Sequence, residues 1–207
     1  GCKLDNPTTS LLPAKVGIFF DYCTLHPTTI GDENMRFQSW GANRTQFMNC
    51  SDGAKINGGT VAQVLTECYI RVEMKTNNDH TDGLQSQGAA GSILINRCNI
   101  SCNPLGGVLT GGSGGVDAAL LFADNSSSNT LFAEVRDCLL DGTNSAETIR
   151  FYEGGLTPNI TYKATGNRFV RSASTPISRG SANTTPIGQI EVFNNVWDDD
   201  GSPIPGL

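Results

Sequence analysis

The sequence is short of charge, and the charge it has is spread thinly. Only 16% of its 207 residues are charged, the formal net charge is −6, and Lys and Arg form no stripe. A general nucleic-acid binder needs such a stripe, and an anionic membrane surface attracts basic clusters. No apolar run approaches the ~20 residues of a membrane span. We therefore expect no nucleic-acid partner and no membrane span.

The cysteines, the glycine-rich loop and the start of the chain lack the motifs that would assign a function directly. The seven cysteines follow no zinc-binding spacing, and no Lys-Ser/Thr pair follows the glycine-rich stretch 101–117. The first residues lack the basic-then-apolar order of a signal peptide, and the sequence begins without Met. We expect a processed product or a fragment of a longer protein.

Glycine and small polar residues are abundant instead. The chain contains 24 Gly, and Asn, Ser and Thr recur throughout. This composition is typical neither of helical proteins nor of disordered chains, and it favours many short strands joined by polar turns. We therefore predict an all-β fold.

A repeated segment runs through the chain. Each copy has a residue that we call the anchor, a large apolar residue two positions later and an apolar residue three positions earlier. The anchors are Cys23, Cys68, Cys98, Cys138, Asn167 and Asn195, with a weaker copy anchored at Cys50. The spacing between anchors varies, which indicates loops of unequal length between the repeats.

The parity of the repeat predicts its geometry. Apolar positions −5 and −3 belong to one strand and positions 0 and +2 to another, because side chains alternate along a strand. An odd step joins the two strands, so the chain must bend just before the anchor, where Asp137, Gly166 and Asn194 tolerate left-handed backbone angles. We predict a parallel β-helix of about seven coils with projecting loops and buried, reduced anchor cysteines. It spans 16–200, after an N-terminal connection or preceding-domain remnant (1–15) and before a C-terminal tail or cap (201–207).

Two motifs resemble those of a known family. "HTDGLQ" at 80–85 and "NVWDD" at 195–199 are similar to segments of right-handed parallel β-helix proteins of the pectate-lyase-like superfamily. The closer resemblance is to β-helix modules of actinobacterial and actinophage surface and tail proteins. It implies an all-β, single-stranded right-handed parallel β-helix, located on a virion or extracellularly, with bacterial surface polysaccharide as partner. By the same analogy we expect a homotrimer or a module stacked on a preceding domain.

A second set of strands opens with carboxylates. Asp52, Asp82, Asp117 and Glu147 begin segments that align with one another, and the position two residues later is apolar in each. Stacked on coils about 4.8 Å apart, they predict a carboxylate ladder with spacings that suit the acid and base of a glycosidase. The candidate catalytic residues are Asp82, Glu147 and His80. The candidate substrate-binding residues are Asp52, Lys55, Gln85, Asp117, Arg150 and Tyr152.

The same residues also have a structural interpretation. Asp before Gly is a common turn formula, and stacked Asp side chains can bind backbone N–H groups. We predict no metal site and no cofactor, although stacked carboxylates leave Ca²⁺ open. By register, Phe122 and Tyr152 are the aromatic residues placed beside the ladder, where a sugar would stack.

Two functional hypotheses follow. The first is a virion or extracellular structural module, like a phage tail or spike, that presents a β-helix surface to host cell-wall or capsular glycan. The second is a glycoside hydrolase or polysaccharide lyase with a carboxylate-lined groove. The residue sets of the polygalacturonases and of the calcium-dependent lyases are incomplete in this sequence, which favours the first hypothesis.

Overall fold

A computed structural model of the chain describes residues 2–4, 18–25, 36–37, 40–50, 54–57, 62–75, 81–87, 91–104, 110–111, 115–124, 131–153, 160–179 and 190–205. Within these residues no helix occurs, and every pair of named strands is parallel. The all-β prediction and the predicted parallel pairing are confirmed. In this part of the chain no helix is long and apolar enough to cross a membrane.

The described strands form three stacked parallel sheets and one two-stranded sheet. Sheet I contains β2 (Ile18–Asp21), β5 (Trp40–Asn43), β8 (Gln63–Thr66), β12 (Gly91–Asn96), β16 (Leu131–Arg136), β19 (Ile160–Thr165) and β22 (Ile190–Phe193). Sheet II contains β1 (Cys2–Leu4), β3 (Cys23–Leu25), β6 (Gln46–Cys50), β9 (Tyr69–Val72), β13 (Asn99–Ser101), β17 (Leu139–Asp141), β20 (Arg168–Phe169) and β23 (Val196–Trp197). Sheet III contains β4 (Arg36–Phe37), β7 (Ala54–Asn57), β11 (Thr81–Gln87), β15 (Val116–Asp124), β18 (Glu147–Glu153) and β21 (Thr175–Arg179). The small sheet pairs β10 (Met74–Lys75) with β14 (Thr110–Gly111).

From β2 onward the chain visits sheets I, II and III in turn, and each visit adds one strand beside the previous one. We call one such circuit a rung. This order is compatible with a parallel β-helix. The chain segment 2–4, which sequence reasoning placed outside the repeat, forms β1 and pairs with β3.

A one-residue bend joins sheet I to sheet II on each rung, as the parity of the repeat predicts. The bend residues have φ between 47° and 66° and are Tyr22, Arg44, Glu67, Arg97, Asp137, Gly166 and Asn194. Backbone hydrogen bonds between rungs continue through the bend: Glu67 N–H donates to the Asn96 carbonyl at 3.0 Å, and Asn99 N–H donates to the Cys68 carbonyl at 2.9 Å. These bonds hold the backbone of bend residues such as Tyr22 and Arg44 at left-handed φ angles, which normally favour Gly, Asn or Asp.

The core lies between the three sheets. The position three residues before the anchor and the position two residues after it are almost fully buried on the inner rungs, for example Leu65 with Ile70 and Ile95 with Ile100. On the rungs of β15 and β18 an aromatic stack fills the interior: the ring centroids of Phe122 and Phe151 are 5.6 Å apart, and those of Phe151 and Tyr162 are 4.8 Å apart. Such stacking adds to the burial of apolar area.

The anchors form a hydrogen-bonded ladder inside the bend. The Cys98 N–H donates to Cys138 Sγ at 3.3 Å, the Cys138 N–H to Asn167 Oδ1 at 3.0 Å, and the Asn167 N–H to Asn195 Oδ1 at 3.0 Å. Cys98, Cys138, Asn167 and Asn195 also donate back to a carbonyl of the preceding rung, as Asn167 Nδ2 does to Val135 at 3.0 Å. The anchor position therefore requires a side chain that both donates and accepts a hydrogen bond, and apolar character alone is not sufficient.

The weaker seventh copy was wrongly anchored at Cys50. Arg44 is the bend residue of that rung and Thr45 is its anchor, because Thr45 Oγ1 accepts from Cys23 N–H at 3.5 Å and Phe47 pairs with Ile70 in sheet II. Thr supplies the same donor and acceptor as Cys or Asn. The prediction considered Cys and Asn as anchors, and it therefore placed this anchor five residues too late.

Five cysteines are buried free thiols, and the anchors Cys23, Cys68, Cys98 and Cys138 among them are reduced as predicted: Cys23, Cys68, Cys98, Cys102 and Cys138. A hydrogen bond with Cys138 is the first cause, with burial, that raises the pKa of the Cys98 thiol to about 12. The pKa of the Cys68 thiol is raised even further, first by its hydrogen bond with Cys98 and then by burial. Both thiols therefore stay protonated and inert toward nucleophilic chemistry.

The segment after β23 folds back over the last rung. The Ile204 N–H donates to the Asn195 carbonyl at 2.9 Å, and the Ile204 side chain is 8% exposed in the core. Arg171 lies 4.5 Å from the ring centroid of Trp197 and forms ion pairs with Asp199 at 2.8 Å and Asp200 at 3.0 Å. Arg171 thus holds two carboxylates of the acidic run, and the described residues 201–205 pack against the last rung.

Candidate functional site

The predicted carboxylate ladder on sheet III is interrupted by a bulge. Thr81 pairs with Val116, but Asp82 pairs with Ala118, so Asp117 is an extra residue with no opposite partner. Ala118 in turn pairs with Glu147. Asp117 therefore does not stack with Asp82, and Ala118 takes its place between Asp82 and Glu147, which stay in register two rungs apart. The alignment of Ala119 with Leu84 is wrong for the same reason, since Leu84 pairs with Leu120.

The outer face of sheet III carries a column of mixed chemistry. Register places Lys55, Gln85, Leu121, Arg150 and Ser178 on successive rungs. Gln85 is 3% exposed and Leu121 is 5% exposed, so the middle of this face is covered. Leu121 packs in a small apolar cluster of its own, separate from the main core. The predicted binding residues Lys55, Gln85 and Arg150 thus share one column.

Arg150 brings two of the predicted carboxylates together. Its Nη1 lies 3.6 Å from Asp117 Oδ2 and 3.9 Å from Glu147 Oε2, and all three side chains are half-buried. Glu147 Oε2 and Gln85 Oε1 are buried atoms with no hydrogen-bond partner in the described part of the chain. Buried oxygens without a partner point to water or a ligand on this face.

Asp82 is not part of that cluster. Its side chain is fully buried, and its Oδ1 accepts a hydrogen bond from the Ala118 N–H at 3.0 Å, beside the bulge. A carboxylate in this position satisfies a backbone donor, as the structural interpretation of the ladder expects.

We predict that Asp82→Asn keeps the fold, lowers the free energy of unfolding by about 0.5–2 kcal/mol and changes no polysaccharide cleavage. The amide retains an oxygen for the Ala118 N–H but loses the charge of the acceptor. Urea unfolding and a reducing-end assay on the same preparations check it. The exposed Asp21, which accepts from Asn43 Nδ2 at 2.9 Å, provides the control Asp21→Asn. A fully stable Asp82→Asn variant that has lost an activity of the wild type contradicts the prediction.

Other predicted residues fall in different places. His80 and Asp52 lie outside the described residues, and of Tyr152 the structure describes the backbone in β18. Phe122 was expected at the solvent face, but it is 2% exposed and belongs to the aromatic stack in the core. The bulge shifts the register of β15 by one residue from the predicted alignment, so Phe122 faces the core where the alignment placed it on the outer face.

Sequence reasoning missed an open groove at the bend between sheets I and II. Its volume is about 350 Å³. We call it the bend groove, and the side chains that line it are those of Arg97, Asn99, Asp137, Leu139 and Arg168, together with Gly166 and the anchors Cys98 and Cys138. These residues stand directly before and after an anchor, so counting one position either side of each anchor would have found them.

Ion pairs hold the two arginines of the bend groove. Arg97 Nη2 lies 3.0 Å from Glu67 Oε1, and Arg168 Nε lies 3.1 Å from Asp198 Oδ1. The Arg97 and Arg168 side chains are 58% and 60% exposed, so these pairs exchange readily with solvent or ligand. A hydrogen bond from Arg44 is the main cause that lowers the pKa of the Glu67 carboxyl.

Among the residues that the structure describes, no group of three or more His, Cys, Asp or Glu side chains is placed to hold a metal ion. Comparison with family models, curated proteins and solved structures finds no match for this chain. The resemblance to pectate-lyase-like modules therefore rests on the sequence motifs and on the compatibility of the stacked parallel sheets with that fold.

Proposed function

We propose that this chain is a pectate-lyase-like, right-handed parallel β-helix of about seven coils that forms part of a virion or extracellular structure and binds host cell-wall or capsular glycan. The proposal includes assembly as a homotrimer or stacking on a preceding domain, which the mass of the protein in solution tests.

The observation that carries this proposal is the group formed by Arg150, Asp117 and Glu147 on sheet III, which we call the Arg150 cluster. Gln85 Oε1 and Glu147 Oε2 are buried without hydrogen-bond partners in the described chain, and Glu147 stands beside Arg150 and Asp117. A sugar hydroxyl both donates and accepts, so one that binds beside the half-buried Glu147 satisfies its Oε2 and also reaches the Arg150 guanidinium. A structural module with this face can bind glycan although it lacks a complete set of catalytic residues.

A glycosidase or lyase is the second candidate, and one observation favours it. Asp117 and Glu147 approach the same Arg150 nitrogen at 3.6 and 3.9 Å. The two carboxylates are thus close enough to act as acid and base, whose separation in glycosidases runs from about 5 to 9.5 Å. The buried position of Asp82 removes the other predicted catalytic carboxylate from the surface.

Retention and cleavage are measured together on bacterial capsular and cell-wall polysaccharides. We predict that the wild type is retained on at least one of them without releasing reducing ends, and that Glu147→Gln weakens retention about tenfold. Glu134→Gln is the matched control, because Glu134 is a similarly half-buried glutamate paired with Arg136 at 3.9 Å on the outer face of sheet I. Failure of retention on every polysaccharide contradicts the binding function, and release of reducing ends establishes the enzyme instead.

A further inference from the structure

The bend groove is chemically distinct from the Arg150 cluster, and we propose that it binds a neutral, hydroxyl-bearing saccharide. This site lies on the ridge between sheets I and II, away from the outer face of sheet III where sequence reasoning placed the carbohydrate. The inference rests on the proposed function only for the class of ligand, since its geometry and its residues are independent of the Arg150 cluster.

The groove exists because Gly166 leaves a gap in a column of side chains. The bend residues of neighbouring rungs carry long or branched side chains, but Gly166, with φ of +66°, carries none. A Cβ at this position would lie 2.8 Å from Asp137 Oδ1, so the carboxylate borders the space above the glycine. Leu139, which is half-buried and follows the anchor Cys138 directly, supplies an apolar surface. A pocket with an apolar patch and a few converging polar groups is the usual form of a small-ligand site.

The order of charges along the groove selects the ligand. Arg97, Asp137 and Arg168 lie on three successive rungs about 4.8 Å apart, with Arg97 and Asp137 at the bend position and Arg168 one residue after its anchor, beside Leu139. The lining therefore offers a donor, an acceptor and a second donor on consecutive rungs. A carboxylate ligand would meet Asp137 between the two arginines, and an ammonium ligand would meet both arginines. Neutral hydroxyls match all three groups, because each hydroxyl both donates and accepts.

The neighbouring acids reinforce this selection. Glu67 and Asp198 already compensate the charges of Arg97 and Arg168 at the two ends of the groove. The guanidinium groups therefore present N–H donors with little net positive field, which disfavours the capture of an acidic polymer. Asn99 adds an amide with both a donor and an acceptor to the lining.

The test uses the full chain and defined hexasaccharides. Cellohexaose, maltohexaose and hexa-N-acetylchitohexaose serve as neutral probes, and hexagalacturonate serves as the acidic probe, in calorimetric titrations. We expect at least one neutral hexasaccharide to bind, and Arg97→Ala, Arg168→Ala and Asp137→Ala each to raise its Kd about tenfold. Raising the salt from about 50 to about 500 mM should change this Kd less than about twofold, because the ligand is uncharged.

Arg136→Ala is the matched control, since Arg136 is an exposed arginine on the outer face of sheet I that does not line the groove. Its Kd should equal that of the wild type, and thermal unfolding confirms that all variants fold. Absence of binding by every neutral hexasaccharide, preference for hexagalacturonate, or binding unaffected by the three groove variants would each overturn the inference. Binding that responds to Glu147→Gln but not to the groove variants overturns the inference alone and leaves the proposed function intact.

Discussion

Replacing Asn167 with alanine is expected to lower the free energy of unfolding by about 2 to 5 kcal/mol. Asn167 is fully buried, its Oδ1 accepts from the Cys138 N–H, and its Nδ2 donates to the Val135 carbonyl and to Asn195 Oδ1, each at 3.0 Å. Alanine leaves the buried Cys138 N–H without its acceptor and takes a donor away from the Val135 carbonyl, while Asn195 Oδ1 keeps the backbone N–H of residue 167. Each unsatisfied buried group costs about 1 to 3 kcal/mol. Urea unfolding followed by circular dichroism measures the change.

Two further variants separate the ladder from a general effect of losing an asparagine. Asn43→Ala removes an amide whose Nδ2 donates to Asp21 on the half-exposed outer face of sheet I, and it should cost less than about 1 kcal/mol. Asn167→Thr should recover part of the loss, because Thr45 performs the same role on another rung. A cost below about 1 kcal/mol for Asn167→Ala would show that the ladder is not a main source of stability.

The anchor ladder marks how far the sequence predicted the fold. Period-two parity, with an odd step before Cys68, Cys98 and Cys138, was enough to predict two strands, a one-residue bend and parallel stacking. It was not enough to find Thr45, because the repeat was defined by residue identity. The structure shows that the constraint is a side chain able to donate and accept at once, and Cys, Thr and Asn all meet it.

Sheet III could not be predicted as well, for a physical reason. A bulge at Asp117 inserts one residue, so Leu120 and Phe122 face the core where the alignment of the opening carboxylates had placed Leu121 and Ala123. The sequence around 116–124 is apolar on both faces, since Leu120 and Phe122 enter the core while Leu121 is buried outside it. Apolar and polar residues therefore do not alternate in this segment, and the register of β15 could not be predicted from its sequence.

The candidate sites were predictable to different degrees. The column of Lys55, Gln85 and Arg150 followed from aligning the strands of sheet III, and the structure places these residues in register. The bend groove did not follow, because its residues flank the anchors and were treated as spacers between inward positions. A β-helix exposes its bend as well as its sheets, so positions one residue before and after a bend are surface positions that a search for function should include.

Phe151→Ala is expected to be the most damaging truncation in the described core, with a loss of about 3 to 5 kcal/mol. Phe151 is fully buried, and its ring stacks on Phe122 at 5.6 Å and on Tyr162 at 4.8 Å between ring centroids. Removing it leaves a cavity between sheets I and III and breaks both aromatic contacts, which the parallel ladders on either side cannot close by small shifts.

Phe132→Ala removes the same atoms from the outer face of sheet I, where the side chain is 42% exposed, and should cost less than about 1 kcal/mol. The comparison tests the topology itself, because Phe132 lies directly before Ala133 in β16, whose side chain is fully buried in the core. If the strands alternated between faces in the opposite register, the two truncations would exchange their effects. Equal losses for Phe151→Ala and Phe132→Ala in urea unfolding would therefore contradict a core enclosed by three parallel sheets, since that architecture requires one ring to be inside and the other outside.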